Sequence, residues 1–161
     1  MTDIAMFVGR FNPPTVSHME IIQKMADENS AIGRMCLCVI VDGKETGKNV
    51  SKNPLSGNYR KEILKQHVPN NVRVIVVKNP ATLFSKLKAK NINISTIYSG
   101  DDRNYHRLCE WAGHNTNLIQ IKRNSISATQ LRNAIKENNI QAVRSMAPEW
   151  LDIDFVRRML T

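Results

Sequence analysis

The residues Ile4-Ala5-Met6-Phe7-Val8-Gly9-Arg10-Phe11-Asn12-Pro13-Pro14-Thr15-Val16-Ser17-His18 decide how the rest of the chain is read. Ile4 to Val8 form a short apolar run of the kind that makes a buried strand. Gly9 to His18 form a tight loop, and Glu20, Ile21, Ile22, Met25 and Ala26 continue it as an amphipathic run. The order is strand, loop, helix. Ser17 and Glu20 have capping-box spacing, which predicts a helix starting at the end of the loop. Gly9 allows close backbone approach, and the unpaired N–H groups at a helix start attract anions. His18 then falls in the first helical turn, facing any bound phosphate.

Outward from this stretch the chain alternates. Arg34 to Val41 is a continuous apolar run, typical of a strand buried on both faces. Asp42 to Asn53 is rich in Gly, Lys, Ser and Asn and reads as a mobile loop. Asn53-Pro54-Leu55-Ser56-Gly57-Asn58-Tyr59-Arg60 marks a turn running into a helix through Ile63, Leu64 and Val68; Arg60, in the first turn, is a phosphate-binding candidate. Val72 to Val77 is a third strand. Thr82 to Lys90 reads as a helix whose Leu83, Phe84 and Leu87 form a core stripe. A fourth strand, Ser95 to Ser99, ends at Gly100-Asp101-Asp102-Arg103. Carboxylates beyond a parallel strand's carboxyl end can hold ribose hydroxyls or help hold Mg²⁺, and either Asp101 or Asp102 fits. The helix that follows carries Tyr105 and Trp111, either of which could stack on a flat ring, with core packing the stronger expectation for Trp111. Leu118 to Ile121 is a fifth strand, leading to Arg123-Asn124-Ser125-Ile126-Ser127-Ala128-Thr129-Gln130-Leu131-Arg132 and another helix. Ser127 and Thr129 hydroxyls and helix N–H groups would meet phosphate, with Arg132 one turn further along the same face. Two more helices, Ile140 to Met146 and Ile153 to Leu160, flank Pro148 and read as packing elements.

The whole composition agrees. With 161 residues and ordinary apolar and charged fractions, the chain reads as one domain, residues 1–161, with the helices from about 127 to 161 packed on it. The N-terminus lacks the pattern of a signal peptide, and the first apolar run is too short to span a membrane, so a cytoplasmic protein is expected. Three cysteines without metal-ligand spacing read as buried thiols, Cys36 and Cys38 on one face of a strand. The net charge of +9 suits a phosphate-bearing partner. It is scattered, without the basic-aromatic interleaving of an RNA-binding sheet, which argues against a nucleic-acid face. Strands alternating with helices give an α/β fold with a parallel five-stranded sheet and right-handed crossovers.

Three segments carry a resemblance. Gly9 to His18 is similar to the phosphate-binding loop of the nucleotidyltransferase superfamily (cytidylyltransferase-like), whose usual form ends His/Thr-x-Gly-His; Thr15 takes the first position and Ser17 replaces the glycine. Gly9-Arg10-Phe11 and Asn53-Pro54 through Arg60 resemble the archaeal-type nicotinamide mononucleotide (NMN) adenylyltransferases, with Tyr59 in place of a glutamate. Ile126-Ser127-Ala128-Thr129 through Arg132 resembles the superfamily's Ile-Ser-x-Thr-x-x-Arg signature, and Arg123 falls where that branch has an arginine. The resemblance implies a Rossmann-like fold with helices on both faces of the sheet. It implies adenylyl transfer from ATP to a phosphorylated acceptor, NMN by preference, giving NAD and pyrophosphate by direct attack, with Mg²⁺ bridging substrate phosphates rather than held by protein ligands. Within it, His18, Thr15, Arg10 and Arg132 are the expected catalytic residues. Gly9, Arg10, Phe11, Asn12, His18, Arg123, Ile126, Ser127, Thr129 and Arg132 would bind the nucleotide. Arg60, Asp101, Asp102, Tyr105 and Trp111 would bind the acceptor. Pantetheine phosphate with ATP, a phosphoalcohol with CTP, or a non-catalytic nucleotide or nucleic-acid binder on the same scaffold are the alternatives. A homo-oligomer is left open.

Overall fold

The computed structural model describes residues 2–100, 107, 108, 110, 111, 113, 116–121 and 126–161. Five strands form one parallel sheet: β1 (Thr2–Gly9), β2 (Met35–Val41), β3 (Val72–Val77), β4 (Ile92–Ser99) and β5 (Asn117–Gln120), in the order β3-β2-β1-β4-β5. Among the described residues the fully bounded helices are α1 (Val16–Ser30), α2 (Gly57–Lys65), α3 (Pro80–Ala89), α4 (Ala128–Lys136), α5 (Ile140–Met146) and α6 (Ile153–Leu160). Residues 107, 108, 110 and 111 are also helical.

The strand order reverses at β1. From β1 to β3 the chain steps one way across the sheet; from β4 to β5 it steps the other. With right-handed crossovers, the reversal puts helices on opposite faces. Ala5, Phe7, Cys36, Cys38, Ile40 and Tyr98 meet Ile21, Ile22 and Met25 of α1 and Leu64 of α2 on one face. Met6, Val39, Ile94 and Ile97 meet Phe84 of α3 and Leu108 on the other. Both faces of the central strands are covered, which is why they read as unbroken apolar runs. Ile94 and Ile97 share a face despite their odd spacing. The register against β1 slips between Ile4 and Ala5, so Ser95 is the extra residue, and its hydroxyl donates to the Ile4 carbonyl at 3.1 Å. Cys36 and Cys38 lie on the same buried face as read from sequence, and burial pushes the Cys36 thiol up to about 11.

A smaller core sits to one side. Leu55, Leu131, Ile135, Val143, Leu151, Val156 and Leu160 pack with Tyr59 and Ile63, fastening α4, α5 and α6 to α2. Pro148 falls between α5 and α6, as expected. Among the described residues no helix is long and apolar enough to cross a membrane.

Asp42 to Asn53 is a loop, as expected, and carries backbone hydrogen bonds of its own. Gly47 N–H donates to Asn53 O at 3.0 Å, Val50 N–H to Gly47 O at 3.1 Å and Asn53 N–H to Val50 O at 3.0 Å. Asn49 N–H donates to Met159 O at 3.0 Å, tying the segment to the end of α6. Polar composition marked it as non-helical; its own backbone hydrogen bonds hold it.

Candidate functional site

The turn after β1 lies at the carboxyl end of the strand where the sheet order reverses, the place where open α/β sheets bind ligands. Its shape follows from three features. Phe11 has φ 54°, a conformation bulky residues rarely adopt, and is 1% exposed. Its ring packs edge-on against Phe7 with centroids 5.3 Å apart. A Cβ on residue 9 would sit 3.2 Å from that ring. Gly9 thus lets the Phe11 ring fold closely under the turn.

The helix does not begin where Ser17 and Glu20 suggested. Thr15 caps α1, its hydroxyl accepting from His18 N–H at 3.3 Å. Thr15 N–H donates to His18 Nδ1 at 2.9 Å, completing a capping box in which histidine plays the usual glutamate's part. Because Nδ1 accepts, the neutral ring carries its proton on Nε2. The imidazole is also held against Phe11, 4.8 Å between centroids. Thr15 thus orients His18 through both its backbone and its hydroxyl. The Ser17 hydroxyl oxygen is buried and makes no hydrogen bond.

The turn is held from outside by three polar ties. The Asn12 amide, 1% exposed, donates to Leu55 O at 3.0 Å and accepts from Leu55 N–H at 2.9 Å. Arg60 donates through Nη1 to the carbonyls of Arg10 and Val41, through Nε to Ser56 O at 3.2 Å, and through Nη2 to Asp42 Oδ1 at 2.6 Å. Arg132 donates through Nη1 to Asn12 O at 2.8 Å and through Nη2 to Thr129 Oγ1 at 3.1 Å. Its bond to Asn12 spans 120 positions of sequence and joins the two segments singled out above.

The three arginines form a positive cluster. Burial lowers the pKa of Arg60, with Asp42 pushing back and Arg10 adding to the fall. Burial also lowers the pKa of Arg132, and the neighbouring Arg10 charge lowers it further. Arg10 itself is exposed and lines a cleft of about 210 Å³ with Val41, Asp42, Gly43, Lys44, Asn53, Arg60 and Lys78. Among the described residues Asp42 is the sole acid in that lining. Among the described residues no group of three His, Cys, Asp or Glu side chains could hold a metal ion.

Several expected site residues have other work. Asn12 presents its carbonyl, not its amide, to Arg132. Arg60 is committed to Asp42 and three carbonyls, so it supports the turn rather than offering a free guanidinium to phosphate. Ser127 caps α4, accepting from Gln130 N–H at 3.1 Å while Gln130 Oε1 accepts from Ser127 N–H. Thr129 braces Arg132, and Ile126 is half-buried beside the cap. Trp111 packs on Phe84 of α3, 5.9 Å between centroids, on the sheet face opposite α1. Core packing, the stronger of the two roles expected for Trp111, is the one observed. Asp101, Asp102, Tyr105 and Arg123 lie outside the described residues. Sequence reading passed over Asp42, Lys44 and Lys78. The available signal was position: each stands at or just past the carboxyl end of β2 or β3.

No curated protein sequence matches the chain. Solved structures do. Nicotinic acid mononucleotide adenylyltransferase of Plasmodium falciparum, complexed with NaAD, superposes with a TM-score of 0.67 at 16% identity, covering 97% of this chain and 95% of that one. A bifunctional NMN adenylyltransferase/ADP ribose pyrophosphatase from Francisella tularensis gives 0.64 at 16% identity, covering 86% and 43%. Thermotoga maritima TmcAL bound with alpha-thio ATP gives 0.60 at 13% identity, covering 98% and 55%. The chain therefore spans less than half of the Francisella protein and about half of the Thermotoga one. At these identities the likeness is one of fold. The cytidylyltransferase-like family model matches residues 6–136, from inside β1 to the end of α4. That span takes in most of the chain, including the turn, His18 and the segment ending in Arg132, and the chain belongs to the cytidylyltransferase-like family.

Proposed function

We propose that the chain transfers a nucleotidyl group, adenylyl from ATP by preference, to the phosphate of an acceptor mononucleotide, with NMN the preferred acceptor and NAD and pyrophosphate the products. One observation carries the reading. Arg132 is 8% exposed, stands near Arg10, and has no carboxylate partner among the described residues. A buried cation without a counter-ion is costly unless a ligand supplies the negative charge. A polyphosphate over the turn does so, at the helix start where anions are favoured.

The reaction needs little covalent help. An oxygen of the acceptor phosphate attacks the α-phosphorus of ATP; the bond from that phosphorus to the β-phosphate oxygen breaks, and pyrophosphate leaves with the electron pair. The acceptor is already anionic near neutral pH, so no strong general base is required. Catalysis is then positioning and charge stabilisation. His18 donates from Nε2 to the phosphate region where charge develops, its ring held by Thr15. Arg10 and Arg132 neutralise the polyphosphate, Arg132 on the leaving pyrophosphate. Mg²⁺ is expected as the triphosphate's own counter-ion, since Asp42, the acid in the cleft lining, is engaged with Arg60. NMN is preferred on the Gly9-Arg10-Phe11 and Asn53-Pro54 segments and on the adenylyltransferases of nicotinamide and nicotinic acid mononucleotide among the structural neighbours.

The test is pyrophosphate release, crossing ATP and CTP with NMN, nicotinic acid mononucleotide, pantetheine phosphate and glycerol 3-phosphate. Turnover confined to ATP with NMN is the expected result; turnover with another pair replaces the substrates and keeps the chemistry. Silence in every arm, with no ATP bound in calorimetry, overturns the reading. His18→Ala should lower kcat by about a hundredfold, as for loss of a transition-state donor. Unchanged kcat would remove His18 from the mechanism.

A further inference from the structure

A carboxylate in a phosphate cleft needs explaining. Asp42 shares its lining with Arg10, Lys44 and Lys78, and its negative charge would repel a triphosphate. Its contacts give the reason. Oδ1 meets Arg60 Nη2 at 2.6 Å, and Arg60, 1% exposed, passes the contact on to the Arg10 carbonyl. The carboxylate also lies against the first residue of α2. A Cβ on Gly57 would collide with Oδ2 and stand 2.6 Å from the carboxylate carbon. The start of α2 favours the negative charge there, and the missing side chain at position 57 lets it approach.

We propose that Asp42 is a positioning residue for nucleotidyl transfer. By neutralising Arg60 it lets that guanidinium lie buried against the turn, where it holds the Arg10 backbone and so sets where the Arg10 side chain stands in the cleft. Gly57 is the second part of the device, because only glycine leaves room for the carboxylate. Asp42 touches no reacting atom; it acts through Arg60 on Arg10. The proposal rests on the transfer reading given above.

An ion pair that merely stabilised the fold would be equally conspicuous, so the test must separate the two. We would measure kcat/KM and the ATP dissociation constant for Asp42→Asn in the wild-type and Arg10→Ala backgrounds. Action through Arg10 predicts a loss of about tenfold in the wild type and under about twofold once Arg10 is gone, a coupling typical of directly linked residues. The same loss in both backgrounds overturns the proposal and leaves a structural ion pair. Gly57→Ala guards against a variant that fails to fold. It keeps Asp42 and Arg60, and alanine is the better helix former. It should reproduce the loss in the wild type and cost nothing in an Asp42→Ala background, where the colliding carboxylate is absent. Equal cost in both backgrounds removes Gly57 from the device and overturns the proposed approach of the carboxylate. A wild type that neither binds ATP nor releases pyrophosphate fails the transfer reading itself, and the positioning role falls with it. An active wild type with an unaffected Asp42→Asn fails the positioning role alone.

Discussion

Arg60 and Arg132 hold the same turn from two sides, and they solve the same electrostatic problem differently. Both are almost wholly buried, and each donates to a carbonyl of the turn, Arg60 to Arg10 and Arg132 to Asn12. Arg60 has a carboxylate at 2.6 Å; Arg132 has a threonine hydroxyl and a carbonyl. Burial lowers the pKa of both, yet among the described residues only Arg60 has a nearby acid opposing the fall. The compensated arginine is part of the scaffold. The uncompensated one keeps its charge available to a ligand. Equal burial therefore does not mean equal role, and the neighbouring carboxylate is what tells them apart.

The comparison breaks first on stability. Arg60→Ala strands the Asp42 charge and the carbonyls Arg60 served, and should cost about 3–5 kcal/mol, the range for breaking a buried ion pair. Urea unfolding measures this, and a loss under about 1 kcal/mol would put Arg60 outside the scaffold. Asn12→Ala comes next. It leaves the Leu55 N–H and C=O without partners and should cost about 2–3 kcal/mol by the same measurement, since each stranded buried group costs about 1–3. Arg132→Met should behave in the opposite way to Arg60→Ala. Removing an uncompensated buried cation should change stability by no more than about 1 kcal/mol, while ATP affinity falls about tenfold or more. Thermal shift sharpens the contrast: without ATP the Arg60 variant should melt well below wild type and Arg132→Met close to it, while the ATP-dependent rise should shrink in Arg132→Met. Ser17→Ala is the smallest effect. Deleting a buried hydroxyl that makes no hydrogen bond should stabilise the fold by about 1 kcal/mol, and a destabilised variant would show that the hydroxyl has work to do.

Strand-helix alternation was legible because strands covered on both faces leave long apolar runs. Val72 to Val77, Ile140 to Met146 and Ile153 to Leu160 were found with their observed bounds. The start of α1 was misread because two good caps, Thr15 and Ser17, lie two residues apart. The choice between them depends on whether a side chain at the third helical position can reach back. His18 does so through Nδ1, which a rule looking for glutamate or glutamine overlooks. Core packing of Trp111 was the stronger expectation from sequence; its partner Phe84 is what the fold supplied.

By itself the sequence determined the α/β alternation, the strand-turn-helix beginning at Gly9, and the two segments, Gly9 to His18 and Ser127 to Arg132, that carry the family resemblance. These are local properties: apolar period, turn residues and motif spacing are written in neighbouring positions. Only the tertiary structure decided what each polar group does. Arg60 and Arg132 are the same residue type, each opening a helix, and nothing beside them in the chain tells them apart. Asp42 is 18 positions from the arginine it neutralises, and Asn12 is 120 from the one that holds its carbonyl. Charge compensation acts through space over a few ångströms, so the fold had to bring those groups together before one arginine became scaffold and the other a candidate anion site.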